Sequence, residues 1–138
     1  MSIRTFFKKL LYSHRLRKSG LSFPLYCKIH GVKNAEKQGG LAQTRAGDNL
    51  QVVHVPIENY PFNAYVYSIP LNRTLGYLDE GLSKRLVYLF GKGFCRDAVV
   101  ENITGGAEKG MKYFGCNIRI LQTMTMMQDC EDFSALRG

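Results

Sequence analysis

The run Asp48-Asn-Leu-Gln-Val-Val-His-Val-Pro-Ile-Glu-Asn-Tyr-Pro-Phe-Asn-Ala-Tyr-Val-Tyr67 decides how the rest of the chain is read. Gly47-Asp48 marks a turn, and the β-branched residues between Leu50 and Val55 mark a strand. Pro56 and Pro61 each lack a backbone N–H, so the segment between them does not form a central strand. Asn63 to Tyr67 resumes an extended pattern, with Tyr65 and Tyr67 on one face and Ala64 and Val66 on the other. Pro70 and Asn72 turn the chain, and Thr74 to Leu78 pairs back. The stretch therefore reads as a strand, a proline-bracketed loop carrying Tyr60, and a hairpin.

Outward from this stretch the same periodicities continue. Pro24 to Val32 alternates Leu25, Cys27 and Ile29 with Tyr26, Lys28 and His30, which predicts a first strand. Gly31 interrupts it and implies a bulge or a close backbone approach. Asn34 to Gly40 reads as a polar loop closing on Gly39-Gly40, and Leu41 to Ala46 as a helical turn or a short strand. Asp79 is a suitable N-cap for a helix that buries Leu82, Leu86, Leu89 and Phe90 and stops at Gly91. Phe94 to Ile103 and Tyr113 to Leu121 read as the last two strands, joined through Thr104-Gly105-Gly106 and a loop over Ala107 to Met111. In the last strand Cys116, Ile118 and Ile120 share one face, and Asn117 and Arg119 the other. The expected fold is mainly β: a small OB-like or SH3-like barrel of about six strands, with one helix before the last two. It divides into an arm over 1–20, a barrel over 24–121 and a tail over 122–138, Met-rich and then acidic.

The net charge of +8 is unevenly placed. Of the 19 Lys and Arg residues, eight fall within residues 1–35, which contain no Asp or Glu. The other eleven are matched by the chain's 11 acidic residues. Such a front-loaded charge points to a polyanionic partner, either nucleic acid or an anionic membrane surface. Within it, Ile3, Phe6, Phe7, Leu10 and Leu11 recur at helical spacing, and Arg4, Lys8, Lys9, Arg15, Arg17 and Lys18 surround them. Ser2 caps this helix, and Ser19-Gly20 ends it. Three uses fit: packing on the barrel with the charges in water, gripping nucleic acid, or lying in a membrane interface. An isolated helix of this length is marginal in water, so the apolar stripe is expected to be covered by the barrel or by a second copy of the chain.

No apolar run approaches the ~20 residues that span a bilayer, and no signal-peptide pattern opens the sequence. A cytoplasmic location and reduced Cys27, Cys95, Cys116 and Cys130 are expected. His14, His30 and His54 are scattered, and no phosphate loop, nucleophile elbow or metal-ligand spacing occurs, so neither enzyme activity nor a cofactor is expected.

A series of short motifs runs in order from Tyr26 to Leu121: Gly31-Val32, Gly47-Asp48, His54-Val55-Pro56, Asn59-Tyr60-Pro61, Asn63-Ala64-Tyr65, Gly76-Tyr77-Leu78, Ile103-Thr104-Gly105-Gly106 and Gly115-Cys116-Asn117-Ile118-Arg119-Ile120. In these motifs and their order the chain resembles the HIRAN domain family. The resemblance implies an OB-like barrel that binds single-stranded DNA at its 3′ end. In that alignment Tyr60 matches the loop tyrosine that stacks on DNA, and Lys33 the basic residue after Gly-Val. Tyr77 replaces a histidine, and a late aromatic falls at Tyr113 or Phe114. Asn34 and Ala35 replace a pair of aromatics, Pro61 an acid that receives the 3′ hydroxyl, and Glu80 falls near a lysine. The expected interface is Lys33, Tyr60, Tyr77, Phe114 and Arg119 with the basic arm nearby, and the expected partner is single-stranded DNA or other nucleic acid.

Overall fold

Alternating burial builds a single curled sheet. The computed structural model describes residues 2–106 and 110–122. Its elements are α1 (Ile3–Ser19), β1 (Leu25–Lys28), α2 (Ala35–Ala42), β2 (Asn49–His54), β3 (Ala64–Ser68), β4 (Arg73–Tyr77), α3 (Glu80–Phe90), β5 (Cys95–Gly105) and β6 (Phe114–Ile120). The six strands run antiparallel in the order β1-β6-β5-β2-β3-β4. The two edges approach each other where His30, just past β1, bridges Tyr77 at the end of β4. The sheet is thus a curled half-barrel, in keeping with the mainly β, barrel-like class expected.

The hairpin follows its sequence signals. Ala64, Val66 and Ser68 are buried while Tyr65 and Tyr67 are partly exposed, and Asn72 takes a positive φ of 51° in the turn. In β6, Cys116, Ile118 and Ile120 are fully buried. They join Leu50, Val52, Val66, Leu75 and Val100 from the other strands in one core. α3 closes that core with Leu86 and Leu89, and Asp79 Oδ2 caps it by accepting from the Leu82 N–H at 3.2 Å.

α2 replaces the expected polar loop. Asn34 caps it, its Oδ1 accepting from the Lys37 N–H at 2.8 Å. Gly39-Gly40 continues the helix rather than ending it. A Cβ on Gly40 would lie 3.2 Å from the Leu75 side chain, so close packing on β4 is what that glycine serves. Glycine disfavours a helix interior by roughly 1 kcal/mol, a cost that tertiary contact readily outweighs.

α1 begins at Ser2 and ends at Gly20 (φ 70°), as its capping residues dictate. It docks through Tyr12, whose ring stacks on Phe90, and through Leu16. Arg85 of α3 donates from Nε to the Ser19 carbonyl at 2.9 Å, satisfying a free helix-end acceptor. The barrel does not cover Phe6, Phe7, Leu10 and Leu11, which are 51%, 61%, 51% and 48% exposed. The expectation that the barrel packs against this stripe is corrected: the helix docks by its opposite side. Among the described residues no helix is long and apolar enough to cross a membrane.

Cys27 and Cys116 are free, whereas Cys95 is disulfide-bonded, against the expectation of reduced thiols throughout. Cys130 and the expected Met-rich, acidic tail beyond Gln122 lie outside the described residues, as do residues 107–109 of the expected loop. Burial pushes the Cys27 thiol up from 9.0 to about 11, and burial with Cys27 alongside pushes Cys116 up to about 12. The fold favours the protonated thiols, so their contribution is whole below pH 9.0 and is lost as pH rises towards 11 and 12. Melting temperature is expected to fall above pH 9, and Cys116→Ala to make that fall shallower. An unchanged alkaline slope in the variant would remove Cys116 as its source.

Candidate nucleic-acid interface

The loop between Pro56 and Pro61 is tied down by backbone and side chain alike. Asn59 adopts a positive φ of 70°, which lets Ile57 and Tyr60 exchange backbone hydrogen bonds of 3.2 and 3.0 Å. Asparagine tolerates that conformation at little cost. His54, ending β2, bridges the loop to the start of β5. Its Nε2–H donates to the Pro61 carbonyl at 2.9 Å, and its Nδ1 accepts from the Gly93 N–H at 2.8 Å. These two bonds fix the Nε2–H tautomer of the ring. Asn63 adds a side-chain bond to the Val55 carbonyl at 3.0 Å. Tyr60 projects from this braced loop with 54% of its surface in solvent.

Tyr77 is positioned by a glycine far away in sequence. Backbone bonds of 2.8 and 3.0 Å join it to His30, and its ring lies against Gly31. A Cβ on Gly31, whose φ is 71°, would sit 2.1 Å from the ring. The close approach implied by Gly31 in the sequence is therefore the seat of Tyr77. Tyr65 lies directly across the hairpin from Tyr77.

The loop and the hairpin enclose a cleft of about 340 Å³. It is lined by Ile57, Tyr60 and Asn63 from the loop, Tyr65 and Tyr77 from the hairpin, and Leu78 and Glu80 leading into α3. Its mouth is acidic on the α3 side, where Asp79 already caps the helix and Glu80 occupies the first turn. A phosphate has no free helix N-terminus there, whereas a planar, uncharged ring finds three tyrosines.

Cations flank the cleft rather than line it. Lys33 lies two residues beyond Gly31, with Nζ 5.8 Å from the centre of the Tyr113 ring. Lys112 Nζ approaches the same ring at 5.2 Å. Phe114 turns the other way and packs against the core. Its N–H donates to Gln38 Oε1 at 2.8 Å, while Gln38 Nε2 donates to the Val32 and Phe114 carbonyls. Of the two late aromatics, Tyr113 is the one beside Lys33. Strand parity carried this signal, because Phe114 shares the face of Cys116, Ile118 and Ile120. Tyr65 was legible only as a strand aromatic; its place in the cleft depends on the loop folding over it.

Arg119 lies on a neighbouring part of the outer surface. It faces Tyr26 of β1, which is 62% exposed, and its Nη1 pairs with Glu101 Oε2 at 2.7 Å. That pair is half in water and worth only ~0–1 kcal/mol, but it offsets the charge Arg119 would offer a phosphate. Lys28 and His30 are exposed on the strand segment that leads from Tyr26 to Tyr77.

The cations Arg4, Lys8, Lys9, Arg17 and Lys18 of α1 are exposed, and Arg15 is half-buried. Ser19 lies beside Arg85, and Tyr12 lies over Phe90 at the end of α3. Residues 3–11 therefore run past the C-terminal end of α3, while the cleft adjoins its N-terminal end. Among the described residues no three His, Cys, Asp or Glu side chains gather as a metal site requires. Fold and site define a small, mainly β module with a tyrosine-lined cleft. No protein-family model, curated protein or solved structure matches the chain.

Proposed function

We propose that this chain is a non-catalytic, HIRAN-like module that binds single-stranded nucleic acid, foremost single-stranded DNA. The observation that carries the reading is the pairing of Tyr60 and Tyr77, both substantially exposed, across one braced cleft. Unpaired bases stack on such rings for roughly 1–3 kcal/mol each, whatever their identity. The loop is ordered before any ligand arrives, so little entropy is lost when Tyr60 stacks. Lys33, Lys28 and Lys112 supply charge for the phosphates on the flank, away from the acidic mouth at Glu80. With Pro61 and Glu80 standing where the resembling family has an acid and a lysine, binding is modest and nearly indifferent to the chemistry of the 3′ end.

Fluorescence anisotropy with labelled single-stranded DNA, its 3′ end free or blocked, tests this across a salt series. Affinity is expected to fall steeply with salt, roughly one power per phosphate contact. Lys33→Ala is expected to lower that slope by about one. Absence of saturable binding at low salt, or a slope that Lys33→Ala leaves untouched along with the affinity, removes the proposed path for the strand.

A further inference from the structure

α1 carries two apolar faces and uses only one of them. At 3.6 residues per turn, the docked Tyr12, Leu16 and Ser19 span an arc of ~60°. Ile3, Phe6, Phe7, Leu10 and Leu11 span an arc of ~140° centred on the opposite side of the helix. Those five are exposed by 75%, 51%, 61%, 51% and 48%. Arg4 and Lys8 border this stripe on one side and Lys9 on the other, with Arg17 and Lys18 closing its C-terminal end. No acidic residue lies anywhere in residues 1–35.

Charge separates a second copy of α1, nucleic acid and an anionic lipid surface as occupants of this face. A second copy of α1 would set one cationic border against another with no acid on either helix. Nucleic acid answers the cations and can stack bases on Phe6 and Phe7, but it leaves Ile3, Leu10 and Leu11 in water. An anionic lipid surface answers both: the apolar side chains enter the headgroup boundary while Lys and Arg meet the lipid phosphates. Direction agrees, because the exposed half of α1 runs past the end of α3 remote from the tyrosine cleft. A bilayer on this face leaves the cleft open.

We infer that the outward face of α1 is an interfacial anchor for anionic lipid membranes, independent of ligand binding in the cleft. The test is sedimentation of the full chain with phosphatidylcholine vesicles, with and without phosphatidylglycerol. The chain contains no tryptophan, so Phe7→Trp supplies a local reporter. Its emission is expected to shift to the blue with phosphatidylglycerol vesicles and to stay put with phosphatidylcholine alone. Phe6→Gln/Phe7→Gln/Leu10→Gln is expected to weaken vesicle binding at least about tenfold while leaving the melting temperature and oligonucleotide affinity unchanged. The side chains it alters point into solvent, so the fold does not depend on them. Vesicle binding that survives the triple variant would show charge alone at work and overturn the anchor. So would loss of oligonucleotide affinity in that variant, or a dimer that it dissolves with no vesicle binding by the parent.

Discussion

Gly76→Val is expected to melt roughly 10 °C below the parent chain, a loss of about 3 kcal/mol. Gly76 lies in β4 beneath the point where the chain leaving β1 crosses it. A Cβ there would stand 2.3 Å from the His30 carbonyl oxygen and 2.5 Å from Ile29 Cγ2. The first neighbour is backbone, so no rotamer change relieves the contact. The chain must either strain or open the His30–Tyr77 bridge that brings the two sheet edges together. Opening it also unseats the Tyr77 ring from Gly31, so the cleft is lost with the closure. Gly39→Ala is the control. Nothing lies within 4 Å of a Cβ at that position in α2, and alanine there is expected to stabilise by roughly 0.5–1 kcal/mol. If Gly76→Val melts with the parent, the edges do not meet as described.

Tyr60→Ala/Tyr77→Ala is expected to weaken single-stranded DNA binding by about 2–6 kcal/mol, at least ~30-fold. Each ring has a free face, 54% and 44% of the residues being exposed. Each is also set by backbone, Tyr60 through the Ile57 pairing and Tyr77 through the His30 pairing, so truncation removes a platform without releasing the chain beneath it. Tyr60→Phe is expected to bind like the parent, because stacking needs the ring and not the hydroxyl. Anisotropy gives the affinities, and thermal melting confirms that the variants stay folded. A folded double variant with undiminished affinity places the strand elsewhere on the surface. The outer patch of Tyr26 and Lys28 would then be the next candidate.

These two results depend on residues with different visibility. Tyr60 stood out in the sequence because Pro56 and Pro61 forbid a central strand around it, a constraint that acts within a few residues. The importance of Gly76 was hidden, since the atoms it must avoid belong to residues 29 and 30, more than forty positions earlier. The same division runs through the charged candidates. Lys33 was legible as a cation after Gly31-Val32, but its neighbours Tyr113 and Lys112 come from the far end of the chain. Arg119 was legible as an outward residue of β6, while its pairing with Glu101 follows from the β5–β6 register.

Local chemistry was enough for the caps at Ser2 and Asp79, the turn at Asn72, and the buried face of Cys116, Ile118 and Ile120. It was also enough to indicate a mainly β chain. Each of these rests on hydrogen bonds or side-chain parity within a few residues, so the sequence specifies them directly. Three-dimensional packing was needed for the helix through Gly39-Gly40, which stands because β4 closes over Gly40. It was needed again for the cleft, assembled from a loop, a hairpin and the start of α3. The orientation of α1 belongs with these. Its periodicity showed one apolar stripe, yet the helix docks by the opposite side because Phe90 of α3 accepts the Tyr12 ring and Arg85 reaches the helix end. The stripe is left in solvent because docking is settled by fit to a partner surface, which the apolar pattern of one helix does not encode.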